Sequence, residues 1–60
     1  MRASEYYKTR PVNVINQIRH PDGTVTIRIY KEGWRKAYQF KARDHGGRIG
    51  EILEDEEVEG

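Results

Sequence analysis

The stretch that decides the fold is His20-Pro21-Asp22-Gly23 followed by Thr24-Val25-Thr26-Ile27-Arg28-Ile29-Tyr30-Lys31. Asp-Gly supplies the positive backbone angles that a tight hairpin turn requires, so a chain reversal is expected there. Beyond it, Val25, Ile27 and Ile29 alternate with Thr26, Arg28 and Tyr30, the period of two that marks a half-buried strand. On the other side of the turn, Val12, Val14, Asn16 and Ile18 alternate with Asn13, Ile15, Gln17 and Arg19, giving the first strand of the hairpin.

Glu32-Gly33 reads as a second short turn, and Trp34 to Arg43 alternates again, with Trp34, Tyr38 and Phe40 opposing Arg35, Ala37, Gln39, Lys41 and Arg43. Three antiparallel strands follow from these patterns. With two-residue loops at both turns, Ile18 lies opposite Ile27, Ile27 opposite Tyr38, and Val25 opposite Phe40, so apolar meets apolar. The expected core is Val12, Val14, Ile18, Val25, Ile27, Ile29, Trp34, Tyr38, Phe40, Ile49, Ile52 and Leu53.

After Asp44-His45-Gly46-Gly47, the spacing of Ile49, Ile52 and Leu53 is helical. A short helix from Arg48 to Glu57 would cover the apolar sheet face, although Gly50 costs about 1 kcal/mol within it and the acids oppose the helix dipole. The alternative is a fourth strand over Arg48 to Leu53. The fold class is therefore α+β or mostly β. Residues 1–11 read as a flexible N-terminal arm, 12–53 as a single small domain and 54–60 as an acidic C-terminal tail. Three antiparallel strands followed by a helix resembles, in layout alone, the arm-binding modules of tyrosine recombinases and the plant AP2-type DNA-binding domain. No residue is transferred from either.

Composition narrows the function. The 60 residues are 35% hydrophobic and 35% charged, with no Cys, so a disulfide framework is excluded. There is no run of roughly 20 apolar residues to span a membrane and no secretory hydrophobic stretch, which gives the expectation of a cytoplasmic protein without membrane contact. Ser4 is the only Ser, and each His neighbours an Asp beside a Gly-containing turn. No enzyme, metal or cofactor is expected from that inventory.

Charge is distributed unevenly. Residues 1–50 hold all eleven Lys and Arg against Glu5, Asp22, Glu32 and Asp44, a formal +7, whereas residues 51–60 hold six acids and no base, a formal −6. In the two-residue register the outer sheet face carries Arg19, Gln17, Thr26, Arg28, Tyr30, Arg35, Gln39, Lys41 and Arg43, with no carboxylate among them. Cations and amides on a pleated face suit phosphates and base edges. The expected function is a non-enzymatic DNA-binding accessory protein contacting duplex DNA through Arg19, Arg28, Tyr30, Arg35, Gln39, Lys41 and Arg43. The alternative is a small protein-protein interaction module, or an inhibitor of a nucleic-acid-acting enzyme, binding an acidic partner. A homodimer paired through an edge strand, with residues 12–18 and 34–40 as the candidates, is a third reading.

Overall fold

Pro21 fixes the first hairpin. In the computed structural model, which describes residues 1–59, His20 donates its N–H to the Thr24 carbonyl at 2.8 Å, and Gly23 donates to the His20 carbonyl at 3.2 Å. Gly23 alone in this turn has a positive φ, at 86°. The loop is therefore three residues, Pro21-Asp22-Gly23, a tight turn closed by a left-handed glycine. The two-residue register is corrected for a physical reason: it would need Asp22 at positive φ and would place Pro21, which has no N–H, in the ladder. The Asp22 carboxylate locks the turn by accepting from the Thr24 N–H at 3.1 Å and the Thr24 hydroxyl at 2.6 Å.

One extra loop residue inverts the first strand. β1 (Asn13–Arg19) pairs with β2 (Thr24–Tyr30) so that Gln17 faces Ile27 and Ile18 faces Thr26, with a bulge at Ile15 between Val14 and Asn16. Ile18 thus leaves the core side, and Gln17 and Arg19 enter it.

The second connection is longer than Glu32-Gly33. Lys31 accepts from the Trp34 N–H at 3.0 Å, Gly33 has φ 97°, and β3 begins only at Tyr38 (Tyr38–His45). Ile29 pairs with Tyr38, Ile27 with Phe40 and Val25 with Ala42. This differs from the two-residue loop by two positions, which preserves every side chain's face, so Val25, Ile27, Ile29, Tyr38 and Phe40 still share the core. Trp34 turns back into an aromatic cluster, its ring 5.1 Å from Tyr6, 5.3 Å from Tyr38 and 6.4 Å from Tyr30.

Gly46 and Gly47, at φ 63° and 93°, make a two-residue hairpin turn into a fourth strand, β4 (Arg48–Asp55). The strand alternative holds and the C-terminal helix does not form. The register shift between Ala42 and Asp44 puts Ile49 and Ile52 on the same face although they are three residues apart, and a second shift, between Lys41 and Ala42, falls at Leu53. Bulged β spacing imitated helical spacing. The sheet order is β1-β2-β3-β4, all antiparallel.

The covering helix comes instead from the chain's start. α1 (Ala3–Thr9) replaces the expected flexible arm and makes its main contacts with β3 and β4. Ala3, Tyr6 and Tyr7 lie at helical spacing on its inner side, with Ala3 buried and the Tyr7 ring 5.4 Å from Phe40. Seven residues are too few for a stable isolated helix, so tertiary bonds hold it. Asp55 accepts from the Ser4 N–H at 3.1 Å and the Ser4 hydroxyl at 2.5 Å, and the Ala3 N–H donates to the Glu56 carbonyl at 2.9 Å. The acidic segment is likewise structured within residues 54–59: Glu54 and Asp55 end β4, Glu57 bridges to Arg2, and Val58 joins the core. With the helix first and four strands after it, the layout departs from the three strands and following helix of the two DNA-binding modules.

The core is Val25, Ile27, Ile29, Tyr38, Phe40 and Ala42 from the sheet, closed by Ala3 and Val58. Val14, Ile18 and Leu53, expected inside, are exposed. Ala3, Ala42 and Val58 enter in their place.

Candidate functional site

Two surfaces can meet a partner: the outer sheet face and the free edge at β1. On the outer face the register sets Arg28 beside Gln39, Thr26 beside Lys41 and Thr24 beside Arg43. The expected residues Arg28, Tyr30, Gln39, Lys41 and Arg43 therefore do share that face. Tyr30 is half-buried at one end, its hydroxyl donating to the Trp34 carbonyl at 3.0 Å. Arg35 is exposed in the β2–β3 loop rather than in a strand. Arg19 goes to the opposite face, beside Val25, with its Nε 3.8 Å from the Asp44 carboxylate.

The outer face is not free of acid, because β4 lies next to β3. Glu51 accepts from the Arg43 Nε at 2.9 Å and stands 3.9 Å from the His45 Nε2. Glu54 pairs in register with Lys41, and Glu56 accepts from the Gln39 backbone N–H at 2.8 Å. Cations toward β2 thus meet carboxylates toward β4. Among the described residues, Arg28, Arg35 and Lys36 have no carboxylate oxygen within 4.0 Å. Arg28 and Lys36 line a shallow cleft of about 290 Å³ together with Gln39 and Glu56. A larger hollow of about 480 Å³ lies around the loop, between Trp34, Arg35, Lys36, Tyr38 and Glu59.

The β1 edge is built differently. All seven of its residues are exposed, and three of the five large exposed hydrophobics of the described residues lie in it: Val14 at 46%, Ile15 at 56% and Ile18 at 47% exposure. Its only charge is Arg19. Because His20 bonds to Thr24, antiparallel alternation turns the N–H and C=O of Ile18 toward β2 and those of Gln17 and Arg19 toward solvent. The Gln17 N–H is met by the neighbouring Asn16 side-chain oxygen at 2.9 Å, a local stand-in for a strand partner.

Sequence reasoning offered residues 12–18 as one of two candidate edge strands, but it placed Val14 and Ile18 in the core, whereas both are exposed. The signal was present in Val14-Ile15, two adjacent apolar residues that break the alternation where the bulge falls.

Two carboxylates are tuned by their contacts. The Thr24 hydroxyl holds the Asp22 carboxyl below its ordinary range, and the N-terminal ammonium, 2.7 Å from Glu57, does the same there. Among the described residues no group of three His, Cys, Asp or Glu side chains is placed to hold a metal ion, and no helix is long and apolar enough to cross a membrane.

Compared with protein-family models, curated proteins and solved structures, the chain gives no match.

Proposed function

We propose that this chain is a non-enzymatic protein-interaction module whose docking element is the edge strand β1. The observation that carries this reading is the coincidence, in one strand, of full exposure, three large apolar side chains and outward-facing backbone groups. Edge strands usually blunt such a combination with charge, and β1 has a single charged residue. Added strands gain affinity from main-chain hydrogen bonds and specificity from alternate side chains, which β1 supplies on both faces. The test is a photo-cross-linking residue placed at Ile15 in the full chain expressed in its own cells, beside a matched chain carrying it at Leu53. Adducts at Ile15 that disappear with Ile18→Lys, and none at Leu53, are expected. Equal labelling at both positions, or none at Ile15, overturns the reading.

A second reading, contact with duplex DNA through Arg28, Arg35, Gln39 and Lys41, draws on Arg28, Arg35 and Lys36, which have no carboxylate within 4.0 Å among the described residues. Glu51, Glu54 and Glu56 beside that face oppose a polyanion, which is why it ranks second. Phosphate contacts release counterions, so log affinity would fall with log salt at about 0.9 per phosphate neutralised, and Arg28→Glu would flatten that slope. Absence of duplex binding at low salt removes this reading and leaves the first intact.

A further inference from the structure

We propose that the occupant of the β1 edge is a second copy of this chain, paired antiparallel about a two-fold axis through Ile18. This rests on β1 being the docking strand and adds the identity of what docks.

The usable edge is short. The bulge at Ile15 bends it at one end, and Pro21 ends it at the other, leaving Asn16 to His20 flat. A second copy offers a strand of the same length with the same limits, and a two-fold at the middle residue, Ile18, uses all of it. In that register Gln17 lies opposite Arg19 of the second copy, and Arg19 opposite its Gln17. These are the residues whose backbone groups face outward, so each pair exchanges both its N–H and C=O bonds, with Asn16 releasing the Gln17 N–H.

The side chains agree with that register. Ile18 meets Ile18 of the second copy on the outer face, at the close non-hydrogen-bonded position where side chains pack best. Arg19 meets neutral Gln17. Shifting the register by two positions in one direction sets Arg19 against Arg19. The shift in the other direction sets Ile18 against Asn16 and Arg19 against the bulged Ile15.

The other edge argues for the same closure. β4 carries Glu51, Glu54 and Asp55, has two register shifts, and continues into the Glu57–Arg2 bridge and the Glu57 ion pair with the N-terminus. With Arg48 against Glu51, Glu54 and Asp55, each β4 strand has a formal charge of −2, so two β4 edges repel. Head-to-tail pairing of β1 with β4 would leave an open edge at each end and propagate. Pairing β1 with β1 closes the assembly and leaves both outer edges acidic, which blunts them against further addition.

The chain has no Cys, so a single introduced thiol reports position cleanly. At the proposed axis the Cα atoms of two Ile18→Cys chains lie about 4.5 Å apart, within the span of a disulfide. In two Asn16→Cys chains the thiols lie four strand positions apart, about 13 Å, and cannot bridge. The expected results are a concentration-dependent monomer–dimer equilibrium of the unaltered chain by sedimentation, rapid oxidation of the Ile18→Cys chain to a covalent dimer, and slow oxidation of the Asn16→Cys chain. Ile18→Lys, at an exposed position, should weaken dimerisation at least tenfold while leaving the circular dichroism spectrum unchanged; Ile18→Val should preserve it. A dimer that bridges through Asn16→Cys and not through Ile18→Cys overturns the register. A chain that stays monomeric at all concentrations overturns the second copy. If Ile15 then still forms Ile18-dependent adducts with another protein, the docking strand survives; if it forms none, both fall.

Discussion

β1 and β2 share one ladder and differ in every other respect. β2 buries Val25, Ile27 and Ile29 to 2% exposure or less, while no residue of β1 is buried. The difference comes from the turn between them. A three-residue loop turns Gln17 and Arg19 toward the core side and Ile18 away from it, and α1 makes its main contacts further along, on β3 and β4. Strand pairing alone therefore does not make a strand part of the core; the covering layer does. β2 is the floor of the fold, and β1 is attached to it chiefly by backbone bonds.

The largest test of that contrast is to remove the same kind of atoms from both strands. Ile27→Ala should cost about 2–5 kcal/mol, because Ile27 is fully buried and its neighbours relax only in part. Ile18→Ala should cost within about 0.5 kcal/mol in the monomer, as expected for a surface position. Denaturant unfolding of dilute protein measures both, and comparable losses would mean that β1 is covered in solution.

Next in size is the bond that holds the cover in place. Asp55→Ala leaves the Ser4 N–H and hydroxyl without their acceptor beneath a part-buried helix end, at a cost of about 1–3 kcal/mol. Since α1 carries Tyr6 onto Trp34, its release should also reduce the near-ultraviolet dichroism of the aromatic cluster. A stability loss with that signal intact would mean that α1 stays docked by Ala3 and Tyr7 alone.

A smaller and more diagnostic change is to shorten the turn. Pro21→Thr together with Asp22→Asn keeps the chain length and favours a two-residue Asn-Gly loop flanked by positions 21 and 24, which shifts β1 by one residue and brings Ile18 to face Ile27. Partial burial of Ile18 there should stabilise the monomer by about 1 kcal/mol, and the docking edge should be lost. Nuclear Overhauser contacts between Ile18 and Ile27 decide whether the register has moved.

How much of this was legible follows from where the information lies. β2 and β3 could be read because their alternation is uninterrupted, and because the loop between them errs by an even number of residues, which leaves faces unchanged. β1 failed on a single residue: Asp22-Gly23 suits either loop length, and Pro21 decides between them. β4 was ambiguous because a bulge sets Ile49 and Ile52 three residues apart on one face. α1 was hidden because its pattern of Ala3, Tyr6 and Tyr7 spans only two turns and its cap is supplied by Asp55, 51 positions from Ser4. Of the outer-face residues, Arg28, Tyr30, Gln39, Lys41 and Arg43 were grouped as the structure groups them. Their neighbours on β4 were not, since a strand's acids become a face's acids only when its partner is known.

The smallest effect is acid sensitivity, and it separates the two ends of the sheet. Asp22 closes the β1–β2 turn, and Glu57 clamps the N-terminus beyond β4. Each carboxyl is held below its ordinary value, so between the unfolded and folded pKa the unfolded chain binds the extra proton. The stabilisation is complete above the ordinary carboxylate range and fades as pH falls through the lowered folded values. Both groups are exposed, so the losses are small and screened by salt. Melting curves over descending pH should show Asp22→Asn and Glu57→Gln each converging on the unaltered chain at the acid end. If β1 is held by its turn and ladder alone, amide exchange in β1 should rise with Asp22→Asn and stay unchanged with Glu57→Gln; an equal rise in both would mean that the two edges open together.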